Sequence, residues 1–152
     1  PGSGTSEIGE IVRVQNLTNG VLPFHLFEYD DFDLGGTAGG DSAMLLNGST
    51  IMQWDNLTTA MVGTVPPFDR WEIASFPTIL AKLTDGVPDD LANGTSPLGP
   101  GDMTFAMQWD RVIGPNGTFL MSKNKRIEVV PEPASLAALG LGFAALLRRR
   151  RK

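Results

Sequence analysis

The sequence predicts an all-β protein, an antiparallel β-sandwich with one short helix, followed by a hydrophobic helix at the C-terminus. Eighteen glycines and eleven prolines interrupt the apolar residues into short runs, a pattern typical of many strands joined by turns. Several runs alternate apolar and polar residues with a period of two. Asn-Gly pairs, which supply the positive φ of tight hairpin turns, occur at Asn19-Gly20, Asn47-Gly48, Asn93-Gly94 and Asn116-Gly117.

The first half of the chain contains five predicted strands around an acidic loop. Their bounds are residues 11–15, 21–29, 42–46, 50–54 and 57–64. The second has apolar residues at both parities, which predicts a central strand of a sheet. Residues 30–41 form a glycine-rich loop. Asn47-Gly48 then joins the next two strands as a hairpin.

The second half contains one predicted helix and the most regular strand. The strands are expected at residues 71–76, 103–109, 118–123 and 126–130. Pro77 opens the helix, which runs to Thr84 with Ile79, Leu80 and Leu83 facing inward. Residues 87–101 are expected to be a loop. Strand 103–109 alternates without a break, since its methionine, phenylalanine and tryptophan positions are separated by smaller or polar residues.

A four-residue echo, Met-Gln-Trp-Asp, occurs at residues 52–55 and again at 107–110. It is weak evidence for duplication, but it suits equivalent strands in two sheets. After the second copy come a Gly-Pro loop and another strand. This arrangement loosely resembles the Ig-like extracellular repeat domains of bacteria, so an Ig-like or jelly-roll-like sandwich is expected.

Charge and composition exclude several classes of function. Residues 1–130 hold sixteen of the 17 acidic and seven of the 12 basic residues, a net charge of −9. Such a domain would repel phosphates, so no nucleic-acid partner is expected. Absence of cysteine removes disulfides, thiolate metal sites and cysteine nucleophiles. The chain begins at Pro1 without a recognisable secretory signal, so we expect a processed chain or a fragment that lacks its N-terminal part.

The acidic loop is the best candidate for a binding site in the body of the protein. Asp30, Asp31, Asp33 and Asp41 lie among glycines, and several oxygen ligands on a flexible loop suit calcium. The spacing does not match an EF-hand loop. An ordinary solvated acidic loop without a cofactor is the favoured interpretation, and calcium binding is the alternative.

Histidine and tryptophan offer weaker candidates. The single histidine, His25, has no Gly-x-Ser-x-Gly nucleophile motif elsewhere in the chain, which favours a structural role over catalysis. Trp54, Trp71 and Trp109 would stack on sugar rings if exposed, but aromatic residues in alternating strands are usually part of a core. Asn-x-Ser/Thr sequences occur at Asn16, Asn47, Asn56, Asn93 and Asn116 and are interpreted as turn residues.

The C-terminal residues have a distinct three-part pattern. Pro131-Glu132-Pro133 form an extended hinge, because both prolines fix φ and restrict the residues before them. An uncharged apolar run follows from residue 134 to 147, with its bulk at Leu136, Leu139, Leu141, Phe143, Leu146 and Leu147. As a helix it would be about 21 Å long, shorter than the hydrocarbon layer of about 30 Å, which suggests a transient anchor. The chain ends with Arg148, Arg149, Arg150, Arg151 and Lys152.

This tail closely resembles the PEP-CTERM sorting signal of Gram-negative bacteria. The resemblance covers residues 129–152 and leaves residues 1–128 as a separate exported domain. It implies recognition by exosortase at residues 131–133, a transient membrane segment at 134–147 and a basic retention cluster at 148–152. Positive residues stay on the cytoplasmic side, so the body would lie outside the inner membrane. A buried or amphipathic C-terminal helix is the alternative, although a surface helix is rarely apolar all round.

Two classes of function remain open from the sequence. The favoured one is a non-enzymatic structural or adhesive module at the cell surface or in the extracellular matrix, since bearers of this signal typically belong to bacteria that make extracellular polysaccharide. Carbohydrate or calcium binding are variants of that interpretation. The rival is an accessory fragment of a secreted enzyme whose catalytic part is missing.

Overall fold

The computed structural model describes residues 4–129, which form nine strands, one α-helix and one 3₁₀ turn. The strands are β1 (Thr5–Gln15), β2 (Leu22–Asp31), β3 (Asp41–Asn47), β4 (Thr50–Trp54), β5 (Thr58–Val65), β6 (Arg70–Ser75), β7 (Leu98–Gly101), β8 (Met103–Ile113) and β9 (Thr118–Val129). The helix α1 is Thr78–Thr84, and the 3₁₀ turn is Leu34–Gly36. Within these residues, no helix combines the length and apolarity needed to cross a membrane.

The strands form two antiparallel sheets. The six-stranded sheet has the order β1-β9-β5-β4-β3-β7, and the three-stranded sheet has the order β2-β8-β6. All strand pairs in both sheets are antiparallel. The predicted all-β fold with two packed sheets and a single short helix is therefore confirmed for the described residues.

The main core lies between the two sheets. From β8 it receives Met103, Phe105, Met107 and Trp109, and from the six-stranded sheet it receives Ala43, Ile51, Val62 and Met121. Trp109 is fully buried and meets Phe68 edge-on with ring centroids 6.3 Å apart. β8 is central in its sheet, which explains why its alternating pattern is so regular.

A smaller core covers the other face of the three-stranded sheet. Ile79 of α1 and Leu91 pack there against Ala106 of β8, with Phe27 and Tyr29 of β2 at the margin. The molecule therefore has three layers: six-stranded sheet, three-stranded sheet, and α1 with the loop that follows it. The inward-facing side of α1 was correctly predicted at Ile79 and Leu83.

The position of β2 differs from the prediction. It is an edge strand of the three-stranded sheet, paired with β8 alone. Apolar residues occupy both of its faces because one face packs on the six-stranded sheet and the other on the α1 layer. Apolar residues on both faces of β2 therefore show that a layer packs on each side of its sheet. They do not show whether the strand is central or at an edge.

The strand β9 was wrongly predicted as two strands. It runs unbroken through Lys123-Asn124-Lys125, because both lysines face inward and have acidic partners there. β1 begins six residues earlier than predicted, since pairing with β9 holds its polar, exposed N-terminal half. β7 lies in a segment expected to be a loop. Its Gly99 has φ +119, and an added Cβ would come within 2.6 Å of the Asp41 carbonyl oxygen.

The Asn-Gly pairs proved less informative than predicted. Asn47-Gly48 joins two neighbouring strands of one sheet, as a hairpin should. Asn19-Gly20 and Asn116-Gly117 instead connect strands of different sheets, and Asn93 lies in the loop after α1. The nearby Asn16 is fully buried, and its side chain donates to the carbonyls of Gly20, Ile113 and Gly114 at 2.7 to 3.0 Å. Its structural role agrees with the interpretation as a turn residue.

Candidate functional site

The four aspartates predicted to bind calcium lie in three different environments. Asp30 forms an ion pair with Lys125 of β9. Asp41 is hydrogen-bonded to Gln53 of β4. Asp31 and Asp33 lie together with Asp102, and one carboxylate oxygen of each falls within 4.8 Å of the others. The structure thus separates residues that are close in sequence, and it adds Gln53 and Asp102, which the sequence analysis did not select.

An ion-pair network connects the two sheets at the side of β2. Lys123 contacts Glu28 and, at 3.2 Å, Glu10, while Lys125 contacts Asp30 and, at 2.9 Å, Glu28. Burial acts to raise the pKa of Glu28, but hydrogen bonds from the two lysines outweigh it and hold that pKa below its usual value. For the more deeply buried Asp30, burial prevails and raises the pKa of its carboxyl. The network carries charge across an otherwise apolar interface between sheets.

Asp41 and Gln53 form a second buried polar group, at the end of the six-stranded sheet next to the 3₁₀ turn. Their side chains are 1% and 0% exposed. Gln53 Nε2 donates to Asp41 Oδ2 at 2.9 Å and to the Phe32 carbonyl at 2.7 Å. Asp41 Oδ1 and Gln53 Oε1 have no hydrogen-bond partner within the described part of the chain. Burial raises the pKa of Asp41, against the lowering influence of the Gln53 side chain and the Leu34 amide.

The cluster of Asp31, Asp33 and Asp102 is more open to solvent than the Asp41–Gln53 pair. Asp31 and Asp33 are exposed, and Tyr29 donates its hydroxyl to Asp31 Oδ2 at 3.2 Å. Burial, followed by the charges of Asp102 and Asp33, raises the pKa of Asp31 although the Tyr29 hydrogen bond lowers it. In the absence of a bound ion, this cluster is a solvated acidic surface.

His25 is an exposed residue on the face of β2 that points toward α1, and it contacts Asp110 of β8. Its Nδ1 is 2.7 Å from Asp110 Oδ1, and Arg70 lies 3.5 Å from the other oxygen of that carboxylate. The pKa of Asp110 is lowered, because hydrogen bonds from Gln108 and His25 exceed the effect of its partial burial. Gln108 thus joins the cluster as the equivalent of Gln53 in the sequence echo. The structure thus gives His25 an acidic partner, Asp110, and its structural role stays a prediction.

The tryptophans divide between the core and the surface. Trp109 donates its indole N–H to the Pro66 carbonyl at 3.1 Å and is buried, and Trp71 packs partly buried against the same core. Trp54 is half-buried. It alternates with the buried Ile51 and Gln53, so it projects from the outer face of the six-stranded sheet.

That outer face contains an open trough of about 910 Å³. Its floor is a row of residues paired across four strands: Gly9, Asn124, Gly63 and Thr50. Ile11, Ser122 and Val65 form the next row and one wall of the trough. The two glycines, one on the edge strand β1 and one on β5, deepen the trough because neither places a side chain on its floor.

Several predictions about the tail fall outside the described residues. These are the sorting motif at residues 131–133, the membrane segment at 134–147 and the basic cluster at 148–152. The described fold ends at Val129, the last residue of β9.

Comparison with known families bears on this part of the chain. Residues 129–152 match the family model described as the PEP-CTERM protein-sorting motif. A search of curated proteins found no match to the chain. The chain therefore carries a PEP-CTERM sorting signal, which marks an exported protein made as a membrane-anchored precursor and recognised and processed by exosortase.

Proposed function

We propose that the β domain is a non-enzymatic structural or adhesive module that its sorting signal delivers to the cell surface or the extracellular matrix. The observation that supports this is the junction between the two parts. The matched motif begins at residue 129, which is also the last residue of β9. The signal thus follows directly from an interior strand of the six-stranded sheet, and processing would leave the whole two-sheet domain as the product.

The use of charged side chains also supports a non-enzymatic role. Glu28, Asp30, Lys123 and Lys125 are engaged with one another between the sheets. His25 contacts a carboxylate, with no hydroxyl among its hydrogen-bond partners in residues 4–129. A hydrolase of the triad type needs the histidine within reach of a nucleophile, and this pairing does not supply one.

A complementation experiment with His25→Ala separates this proposal from the enzyme rival. In a strain that lacks the gene, the full chain should restore cell-surface adhesion or matrix cohesion. Because His25 is exposed and structural in this proposal, the His25→Ala chain should restore it to the same degree, within about twofold, at equal surface amounts. Adhesion that is lost with His25→Ala, while the protein still reaches the surface folded, would favour a catalytic role and contradict the proposal.

Polysaccharide binding is a second candidate, supported by the trough on the outer face of the six-stranded sheet. An extended glycan would lie across the strands, over Gly9 and Gly63, with polar contacts from Asn124 and Thr50. A concave surface with a few polar groups suits such a ligand. Affinity electrophoresis in gels containing extracellular polysaccharide of the producing strain measures this directly.

The matched variants for that measurement are Gly63→Leu and Trp71→Ala. A Cβ at residue 63 would meet Thr50 Oγ1 at 3.6 Å, an ordinary contact, so leucine fits the fold and fills the trough. Gly63→Leu should weaken retardation at least fivefold, whereas Trp71→Ala, which alters a residue packed against the core, should leave it unchanged if the protein stays folded. Equal retardation of Gly63→Leu and wild type would remove the trough as the binding surface.

A further inference from the structure

We propose that Asp41 and Gln53 bind a divalent cation next to the 3₁₀ turn, and that calcium is the ion their oxygen ligands suit best. This inference concerns a site inside the domain and is independent of whether the domain is adhesive. It also differs from the sequence expectation. Asp30 is not among the proposed ligands, because it is paired with Lys125. Gln53 is among them, although the repeated Met-Gln-Trp-Asp motif in its strand did not predict a ligand.

Two buried side-chain oxygens at this site lack hydrogen-bond donors. The Gln53 amide orientation is set by its Nε2, because that nitrogen donates to two acceptors, the Phe32 carbonyl and Asp41 Oδ2. Gln53 Oε1 is then left as an acceptor, as is Asp41 Oδ1, and both lack a partner in the described structure. An unpaired buried polar atom is costly, so the missing partner must be a donor or a cation.

The negative charge around Asp41 is not balanced by an ion pair within the described residues. The carboxylates of Asp55 and Asp33 lie near enough to Asp41 for their charges to act on it. Within residues 4–129, no lysine, arginine or histidine forms an ion pair with any of these three aspartates. The nearby Asp30, by comparison, has Lys125. Of the three, Asp41 is the buried one, and a buried carboxylate without a cationic partner favours binding of an ion from solution.

The 3₁₀ turn has a shape that places Asp55 close to its backbone. Gly35 has φ +64, and an added Cβ would lie 2.5 Å from Asp55 Oδ2. The Asp55 carboxylate therefore lies directly against the turn. Just before the turn, the Phe32 carbonyl accepts a hydrogen bond from the Gln53 side chain. Glycine is required at residue 35 for both reasons, positive φ and close approach. Asp55 and Gln53 thus both lie against the segment from Phe32 to Gly35.

The donor set points to calcium rather than to a transition metal. Asp41 Oδ1 and Gln53 Oε1 are hard oxygen ligands, and carboxylate, amide and backbone carbonyl oxygens with water complete calcium sites of six to eight ligands. Softer metals prefer imidazole or thiolate, and the protein has no cysteine. Magnesium demands a more regular octahedron and retains more water, so it should bind more weakly.

Calorimetric titration of the full chain in a non-ionic detergent, after treatment with EDTA, tests the proposal. We expect one calcium ion per chain with a Kd on the order of 0.1 to 1 mM, the range of extracellular modules. At a hundredfold excess over Kd, the unfolding midpoint should rise by about 10 °C. No binding heat and an unchanged midpoint at 10 mM calcium would overturn the proposal, and a water molecule would then be the partner of the two oxygens.

Isosteric variants locate the ion. Asp41→Asn should lower calcium affinity at least tenfold, and without calcium it should unfold at the same or a higher temperature than wild type, because it removes a buried charge. Asp55→Asn should weaken binding by roughly threefold to tenfold through lost charge. Asp102→Asn, in the exposed cluster with Asp31 and Asp33, is the matched control and should bind normally. Loss of binding in Asp102→Asn with normal binding in the other two would place the ion elsewhere and contradict the assignment.

Discussion

Replacing Pro131-Glu132-Pro133 by Ala-Ala-Ala is expected to stop processing of the protein and leave it in the inner membrane with residues 134–152 attached. The motif lies within the segment that matches the PEP-CTERM signal. Proline favours an extended backbone, the form in which a processing enzyme binds its substrate, whereas alanine favours a helix. Fractionation followed by mass spectrometry of the intact protein should show wild type shortened at its C-terminus and the variant at full mass.

Glu128→Ala provides the control for this experiment. Glu128 precedes the matched segment and lies on β9, half-exposed in a pair with Arg126. The control should therefore be exported and shortened as wild type is. If the triple-alanine variant is released with the same mass as wild type, the three residues are not what exosortase recognises, and the assigned role of the motif is wrong.

Lys125→Met is expected to destabilise the domain by about 3 kcal/mol. Lys125 binds Glu28 and Asp30 together, and the carboxylate of Asp30 is 4% exposed. Methionine preserves the length of the side chain but leaves both carboxylates without this partner, and breaking a buried ion pair on one side typically costs 3–5 kcal/mol. We place the effect at the low end because Lys125 is itself 22% exposed. Urea denaturation followed by tryptophan fluorescence measures the change.

Arg126→Met is the matched control for Lys125→Met. Arg126 is the next residue on the same strand but lies on the outer face, in a pair with Glu128 at 3.3 Å in which both side chains are 44% exposed. Exposed pairs contribute about 0 to 1 kcal/mol, so this variant should lie close to wild type. Equal losses in the two variants would show that the inward lysine has no special role and that the strand merely tolerates methionine poorly.

A comparison of β8 with β9 shows where sequence reasoning about the fold succeeds and where it fails. β8 is predictable because its alternation of large apolar and smaller residues reflects burial of both faces. β9 has an equally regular alternation, but Lys123 and Lys125 occupy inward positions and look like the end of a strand. Their acidic partners lie 95 residues away in the chain, so no local pattern could reveal that the charges are paired.

The candidate site was predictable in part for a similar reason. The glycine-rich acidic segment drew attention to Asp33 and Asp41, and the turn requires glycine at residue 35. The roles of Gln53 and Asp55 depend on β4 lying beside β3, a pairing that the hairpin at Asn47-Gly48 predicts. The inward direction of Gln53 depends on burial, and a glutamine in a strand gives no indication of it. Asp30 shows the converse. The sequence made it a candidate ligand, but Lys125 of the other sheet forms an ion pair with it.

The position of β9 has a mechanical consequence. β9 pairs over eleven residues with β1 and over eight with β5. Backbone hydrogen bonds lie perpendicular to the strands. A pull applied at residue 129 along the strand therefore shears both ladders at once, instead of peeling bonds one after another. While the precursor is held in the membrane, any tension between the membrane and a ligand on the domain pulls along β9. The fold resists unfolding by force most strongly in that direction.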